Sequence, residues 1–562
     1  MAFQLSPGVN VSEIDLTTIV PSVATSTGAF AGPFAWGPVG EIITISDEVR
    51  LADRFGKPDS TNYEYWFSAA NFLAYTNTLK IVRAANTVST KTATANGTGI
   101  LIKNDDDWEQ NFQSGADGDY NGFGARYAGA LGNSLKVSMA DANTFSTWAY
   151  STQFPTAPST STYVSSKGGA NDEIHIVVVD EDGLFSGTRG TILEKYDYVS
   201  KASDAKDASG TSTYYKNQIS TKSKYIHWLS HPASGNVGTG TAWGSTANAS
   251  TFKSLTANST VSLSGGADGT VVTANVVSAY DFFDNAESVD ISLVIAGPAN
   301  ATVLADLFSM AESRKDCMIF FSPEKADVVD NAGSEATDIV TFRDTLTSTS
   351  YAVMDGNWKY QYDKYNDVYR WVPLNGDIAG LCARTDQERD PWYSPGGLNR
   401  GIIKNVIKLA WNPTKTDRDT LYVKGINPVV SFQGEGTVLF GDKTLQSKPS
   451  AFDRINVRRL FIVLEKSIAK AARYSLFEFN DQFTRAQFVA MVEPFLRDVQ
   501  GRRGITDFRV VCDESNNTGE VIDGNRFVGD IYIKPARSIN FIQLNFVAVR
   551  TGVSFDEVVG KF

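Results

Sequence analysis

Cysteine, histidine and long apolar runs are all scarce in this 562-residue chain, and each scarcity removes a class of function. The three cysteines, Cys317, Cys382 and Cys512, are odd in number and widely spaced. That excludes a disulfide framework and a CxxC metal knuckle, and fits buried, inert thiols in a reducing compartment. The three histidines are His175, His227 and His231. The last two share a face only if helical, no cysteine stands nearby, and HWLSH lacks the glutamate of HExxH. A hydrolase triad would have to draw on one of them, and no GxSxG elbow accompanies them. No Gly-Lys-Ser/Thr occurs, and the glycines of Gly434–Thr444 are wrongly spaced for a phosphate loop, which removes a nucleotide-driven motor. No window approaches the roughly 18–20 apolar residues of a membrane span. MAFQLSPGVNVSEIDL has no basic stretch followed by an apolar run, so a chain made and kept in a cytosol is expected.

An excess of positive charge is also missing. The net charge is −12 with a pI near 5.0, which argues against a nucleic-acid binder that neutralises phosphates. The deficit is uneven: residues 450–562 carry 16 Lys and Arg against 14 Asp and Glu, so the acid excess lies upstream. Asp117–Gly122, DGDYNG, matches the first half of a calcium loop, but its twelfth position is Ala128 where a bidentate Glu is needed. An acidic turn is the simpler reading. No catalytic, cofactor or metal site is expected.

What is present is a foldable chain, 42% hydrophobic and 20% charged, long enough for about two to four domains. Residues 1–21 behave as an extended arm. Val9, Val11, Ile14 and Leu16 give an imperfect two-residue period that Pro21 ends, either as a first strand or as a segment pairing with another sheet. Residues 22–89 and 271–390 read as two parts of one α/β domain. Strands at Ile42–Ile45, Leu79–Ala85, Val289–Gly297, Asp316–Pro323 and Tyr351–Gly356 alternate with helices at 47–56, 63–75, 301–314 and about 338–348. Apolar strands separated by helices imply a mostly parallel sheet covered on both faces. Between them, residues 90–270 are rich in Ser, Thr, Gly, Ala and Asn, which predicts an inserted β-rich region of one or two lobes without a deep core. An aromatic hairpin within 357–374 (Tyr360, Tyr362, Tyr365, Tyr369, Trp371), turning at Tyr365-Asn366-Asp367, reads as packing between domains.

Residues 391–540 end in the best-patterned stretch. A helix over Ile455–Glu478 places Val457, Leu460, Phe461, Leu464, Ile468, Ala471 and Ser475 on one face. Arg459, Lys466, Lys470 and Arg473 form a separate basic stripe, either a solvated face or a docking face for an acidic partner. A second helix follows at 484–500, then strands at 508–514, 528–535 and 539–549. The last run is apolar on both faces, with Ile542, Leu544 and Phe546 on one and Phe541, Val547 and Val549 on the other. Such a strand wants neighbours on each side, and heterologous strand pairing of that kind builds a helical polymer.

Several stretches resemble the contractile tail sheath proteins of T4-like myophages. They include SPGVNVSEID (Ser6–Asp15), GAFAGPFAWGPVGE (Gly28–Glu41), ARYAGALGNSLKV (Ala125–Val137) and LSGGADG (Leu263–Gly269). GEGTVLFGDKTLQ (Gly434–Gln446), INVRRLFIVLEKSI (Ile455–Ile468) and Phe488–Ile542 extend the likeness. The resemblance implies a multidomain α+β and α/β chain: a middle α/β domain, outer β-rich lobes and an inner C-terminal domain completed by neighbouring subunits' arms. It implies a virion protein assembled in the host cytoplasm that forms a helical homo-oligomer around a tail tube protein. Baseplate and tail terminator proteins would be further partners, with no nucleic acid, cofactor or membrane insertion. The sheath would contract from a metastable extended state and drive the tube through the host envelope for genome ejection. Carried onto this chain, Arg459, Lys466, Lys470 and Arg473 would face the tube. Arms at 1–21 and 541–562, through Val9, Val11, Ile14, Leu16, Ile542, Leu544, Phe546 and Val549, would link subunits. A sheath from a tailocin or secretion apparatus is the alternative, and a glycan-degrading tail enzyme a more distant one.

Overall fold

A computed structural model describes residues 20, 23–115, 120, 122–540 and 542–543. Its centre is a seven-stranded sheet built from both sides of the long insertion. In spatial order the strands are Ile426–Asn427, Ala352–Asp355, Met318–Phe321, Leu293–Ile295, Gly28–Pro33, Leu79–Ala84 and Ile42–Ile45. All neighbours pair in parallel except the last two, which are antiparallel. One edge strand, Ile426–Asn427, comes from within the 391–540 segment.

Both faces of the sheet are covered, as near-continuous apolar strands require. Helices Tyr63–Leu73 and Asn375–Glu388 cover one face, over Phe30, Leu79, Ile295 and Phe320. Helices Thr273–Tyr280 and Ala301–Arg314 cover the other, over Ala29, Val82, Val294 and Ile319. Local signals set the helix ends: Asp47 accepts from the backbone N–H of Arg50 at 2.8 Å, and Gly56 closes Glu48–Phe55 with φ +80°. Two covering helices touch closely because Gly376 has no side chain; a Cβ there would collide with the Ser68 carbonyl.

The carboxyl ends of parallel strands are where open α/β sheets usually hold ligands. Here a polar plug fills them. Ser322 Oγ accepts from the backbone N–H groups of Leu374 (3.1 Å) and Asn375 (3.0 Å) and donates to Asp355 at 2.7 Å. Asn375 reaches the Gly297 carbonyl at 2.9 Å. Beside it, buried Lys359 donates to buried Asp377 at 2.9 Å.

The inserted region contains a four-stranded antiparallel sheet, Thr191–Ser200, Glu173–Asp180, Leu135–Asp141 and Ser259–Ser262, and a small pair, Phe123–Ala125 with Ile226–Trp228. One apolar cluster joins both, with Phe123, Tyr127, Tyr215, Trp228 and Trp243 buried and Trp36 of the central segment packed in. Lys201 and Asp141 form a buried ion pair at 3.0 Å. The expectation of a region without a deep core is therefore corrected. Its core combines alternating strand residues, Leu135, Val137 and Met139 with Ile174, Ile176 and Val178, and aromatic residues scattered between polar ones that have no period of their own. His227 lies in a strand and stacks on Trp108 with ring centroids 4.8 Å apart, so it does not share a helical face with His231. All three cysteines are buried and unbridged.

The aromatic hairpin pairs Trp358–Asp363 with Val368–Pro373. Trp358, Lys359 and Gln361 point inward, but Tyr360, Tyr369 and Trp371 stack on one another, with Tyr362 and Tyr369 about half exposed. Within one chain this aromatic face is open and does not lie between domains.

Candidate assembly interface

The C-terminal body, expected to be the inner one, is a helical hairpin with a small sheet on one side. Its first helix spans Ile455–Ala472, shorter than the pattern through Glu478 predicts. A 3-10 turn at Arg473–Ser475 follows, and Phe477 adopts φ +71°, a left-handed conformation unfavourable for a bulky side chain. The second helix spans Gln482–Gly501, capped by Asp481, which accepts from the Thr484 backbone N–H at 2.8 Å. Antiparallel strands Ile505–Val511 and Asp530–Pro535 then pair with a register irregularity between Ile505 and Asp507.

The first helix is buried on two sides. Leu460, Leu464, Ile468 and Ala471 pack on Phe488, Val492, Leu496 and Val499 of the second helix. Ile455 and Ile462 belong instead to the middle-domain core. Phe461, expected in the core, is half-buried and meets Phe452 edge-on at 4.8 Å.

That double burial decides the fate of the basic stripe. Arg459 is buried and grips Asp386 with two nitrogens, at 2.6 and 2.5 Å, while also donating to the carbonyls of Cys382 (3.2 Å) and Thr25 (3.3 Å). Burial works against its charge, but the facing Asp386 carboxylate more than restores it, and its pKa is raised. Lys466 pairs with Asp290 and donates to the Ile291 carbonyl at 3.0 Å. These two residues bind the inner helix to the middle domain of the same chain. Only Lys470 and Arg473 of the four are exposed. The exposed part of the four-residue stripe is thus cut to two, because the earlier turns of this helix face lie against the middle domain and only its end projects beyond it.

The small sheet has open edges. Each strand has one partner among the described residues, and Asp507, Arg509, Tyr532 and Lys534 are exposed along it. Phe508, Val510, Ile531 and Ile533 lean on the second helix. A two-stranded sheet is marginal by itself and its unpaired edges are templates for further strands.

Both ends of the described chain leave from this body. Val20 is buried against Trp392 and Leu460 in the inner core. At the other end Ser538 and Asn540 donate to Asp442, at 2.6 and 3.0 Å, and Ile542 is 77% exposed. The expected strand over 539–549 is not formed at Ile539, Asn540, Ile542 or Gln543. Val9, Val11, Ile14, Leu16, Leu544, Phe546 and Val549 lie outside the described residues, as does most of DGDYNG.

Two further features carried no periodic signal. One is the turn between the helices, where Tyr474, Leu476, Phe477, Phe479 and Phe483 are all more than 60% exposed. The other is a cleft of about 1170 Å³ at the base of the hairpin, bordered by Trp392, Phe440, Asn456, Gln500 and Ile505. Among the described residues no group of three or more His, Cys, Asp or Glu side chains could hold a metal ion.

Family models match in sequence order. They are the tail sheath protein Gp18 domain III N-terminal region over residues 25–84, the phage tail sheath protein central domain over 271–445, and the phage tail sheath C-terminal domain over 447–548. The tail sheath protein of Enterobacteria phage T4 is 35% identical over 99% of this chain and 99% of its own. That of Vibrio phage KVP40 is 34% identical over 99% and 100%. Among solved structures, the contracted helical sheath of the anti-feeding prophage matches 97% of this chain and 99% of its own, with a TM-score of 0.51 at 12% identity. The sheath tail protein of Listeria innocua matches 92% and 96%, with a TM-score of 0.52 at 12% identity. These two likenesses speak to the fold alone. On the full-length identity to the myophage proteins, this chain belongs to the phage tail sheath protein family.

Proposed function

We propose that this chain is the repeating subunit of a contractile phage tail sheath and that its inner body is completed only in the polymer. The observation that carries the reading is the two-stranded inner sheet, open at both edges among the described residues, on the body from which both ends of the described chain depart. Residues 1–21 and 541–562 of neighbouring copies supply the missing strands. If each adds on the order of six hydrogen bonds at roughly 1 kcal/mol net, the links survive large rotations of the subunits. The sheath assembles in an extended metastable state on a tail tube protein, between baseplate and terminator proteins, in the host cytoplasm. It then shortens and widens, driving the tube through the envelope. The work comes from packing free energy, so the chain needs no cofactor and does no catalysis. A phage sheath is preferred over a non-viral injection sheath because the phage relatives are far more similar in sequence.

Lys470 and Arg473 remain as the tube-facing pair. Changing Arg459 to Glu would set a carboxylate against Asp386 and test folding instead, so the informative variant is Lys470→Glu with Arg473→Glu. We expect it to keep wild-type thermal stability and lose growth on purified tubes in negative-stain images. Striated cylinders of wild-type length on those tubes would reject the tube contact. Discrete particles from the wild-type protein would reject the sheath reading itself.

A further inference from the structure

The exposed apolar turn and the cleft sit at opposite ends of the same helical hairpin. The turn joins the helices at their far end, and the cleft takes Asn456 and Gln500 from their base. At about 1.5 Å per residue, the 18-residue first helix separates them by about 27 Å. A rigid hairpin cannot fold its own turn into its own cleft.

Their surfaces are complementary. The turn, Tyr474–Phe483, presents Leu476, Phe477 and Phe479 with Glu478 and Asp481 as its charges. Monomeric proteins seldom gather five large apolar side chains on one exposed turn unless a partner covers them. The cleft offers apolar walls at Trp392, Phe440 and Ile505. Around them stand Arg400, Arg418 and Arg503, none of which forms an ion pair among the described residues. Two acids line it as well. Asp442 is occupied by Ser538, Asn540 and Tyr422, and Asp419 is exposed at the rim. Its volume of about 1170 Å³ is ample for several aromatic side chains.

We propose that the Tyr474–Phe483 turn of one copy docks in the base cleft of a second copy, with Phe477 and Phe479 against Trp392 and Phe440 and Glu478 toward Arg503. Knob and hole on distant parts of one molecule make a heterologous contact, which propagates rather than closing into a dimer. The proposal rests on the sheath reading, since it requires that copies polymerise, and it adds a contact made by folded parts rather than by the arms.

Purified full-length protein tests it. Because the native cysteines are buried, introduced ones are addressed selectively by mild oxidation. Phe477→Cys and Asn399→Cys chains, mixed under polymer-forming conditions, should give a cross-linked heterodimer at least about fivefold more abundant than either chain gives alone. Glu478→Lys and Arg503→Glu should each raise the concentration needed for polymer growth at least about tenfold, and the double variant should recover most of that loss. Equal cross-linking in mixed and single samples, or a double variant no better than either single one, would overturn the proposal. So would an Asn399→Cys, Gln543→Cys chain that closes its own disulfide and excludes Phe477→Cys chains from the cleft. A wild-type chain that never polymerises would instead remove the sheath reading on which the contact depends.

Discussion

In the middle sheet, the five interior strands each have two partners, and residues such as Phe30, Ile295 and Phe320 are wholly buried between helical layers. In the inner sheet, two strands share one interface, and residues at comparable positions, Phe508 and Ile531, are only half-buried. The described part of the same chain thus contains a sheet covered on both faces and one with two strands and open edges. Parallel strands need crossover helices, which cover their faces in the same molecule. The inner pair is antiparallel and, among the described residues, has a helix on one face only, so its other face and its edges stay uncovered there. On the proposed function, the first sheet would be the rigid block of the subunit and the second the joint that links it to its neighbours.

The tie between the two regions is the sharpest place to break the comparison. Arg459 and Asp386 hold the inner helix to the middle domain, and removing one member leaves a buried charge without its partner. Asp386→Ala should lower unfolding stability by about 3–5 kcal/mol, measured by denaturant melting. A change under about 0.5 kcal/mol, the scale of ordinary surface substitutions, would mean that the inner body is held by its apolar contacts alone.

A smaller effect separates the regions by pH. Asp355, in the plug at the strand ends, has its carboxyl raised to about 8 by burial, against the Ser322 and Asn357 donors that lower it. The folded protein therefore holds a proton there that the unfolded chain has already released. Stability from this group is complete below about pH 4 and declines as pH rises toward 8, by at most about 1.4 kcal/mol per unit. Asp355→Asn should flatten that decline in melts taken from pH 5 to 9. An unchanged slope would place the titration elsewhere.

Much of the middle domain was legible because its signals are local. Asp47, Gly56 and the Ala301–Arg314 pattern mark helix ends within a few residues of the observed ones. The outer core was less so, because Trp36, Tyr215, Trp228 and Trp243, far apart in the chain, join one cluster without a shared period. The inner helix was recognised by its spacing, yet its basic stripe was misjudged for Arg459 and Lys466. Their partners lie 73 residues upstream at Asp386 and, for Lys466, 176 upstream at Asp290, and helix spacing says nothing about such distant acids. The pattern ran past the observed end at Ala472 because the apolar residues of the following turn, where Phe477 is left-handed, look like a continuing helical face.

Hydrogen exchange on the free subunit and on the assembled polymer tests the central claim most directly, namely that the inner sheet is finished only by neighbours. In the free subunit, amides of Ile505–Val511 and Asp530–Pro535 should exchange at least about a hundredfold faster than those of Gly28–Pro33 and Leu293–Ile295, since exposed edge strands open locally without global unfolding. On polymerisation the inner amides should slow to the rate of the middle sheet. Inner strands as protected in the free subunit as in the polymer would contradict the account.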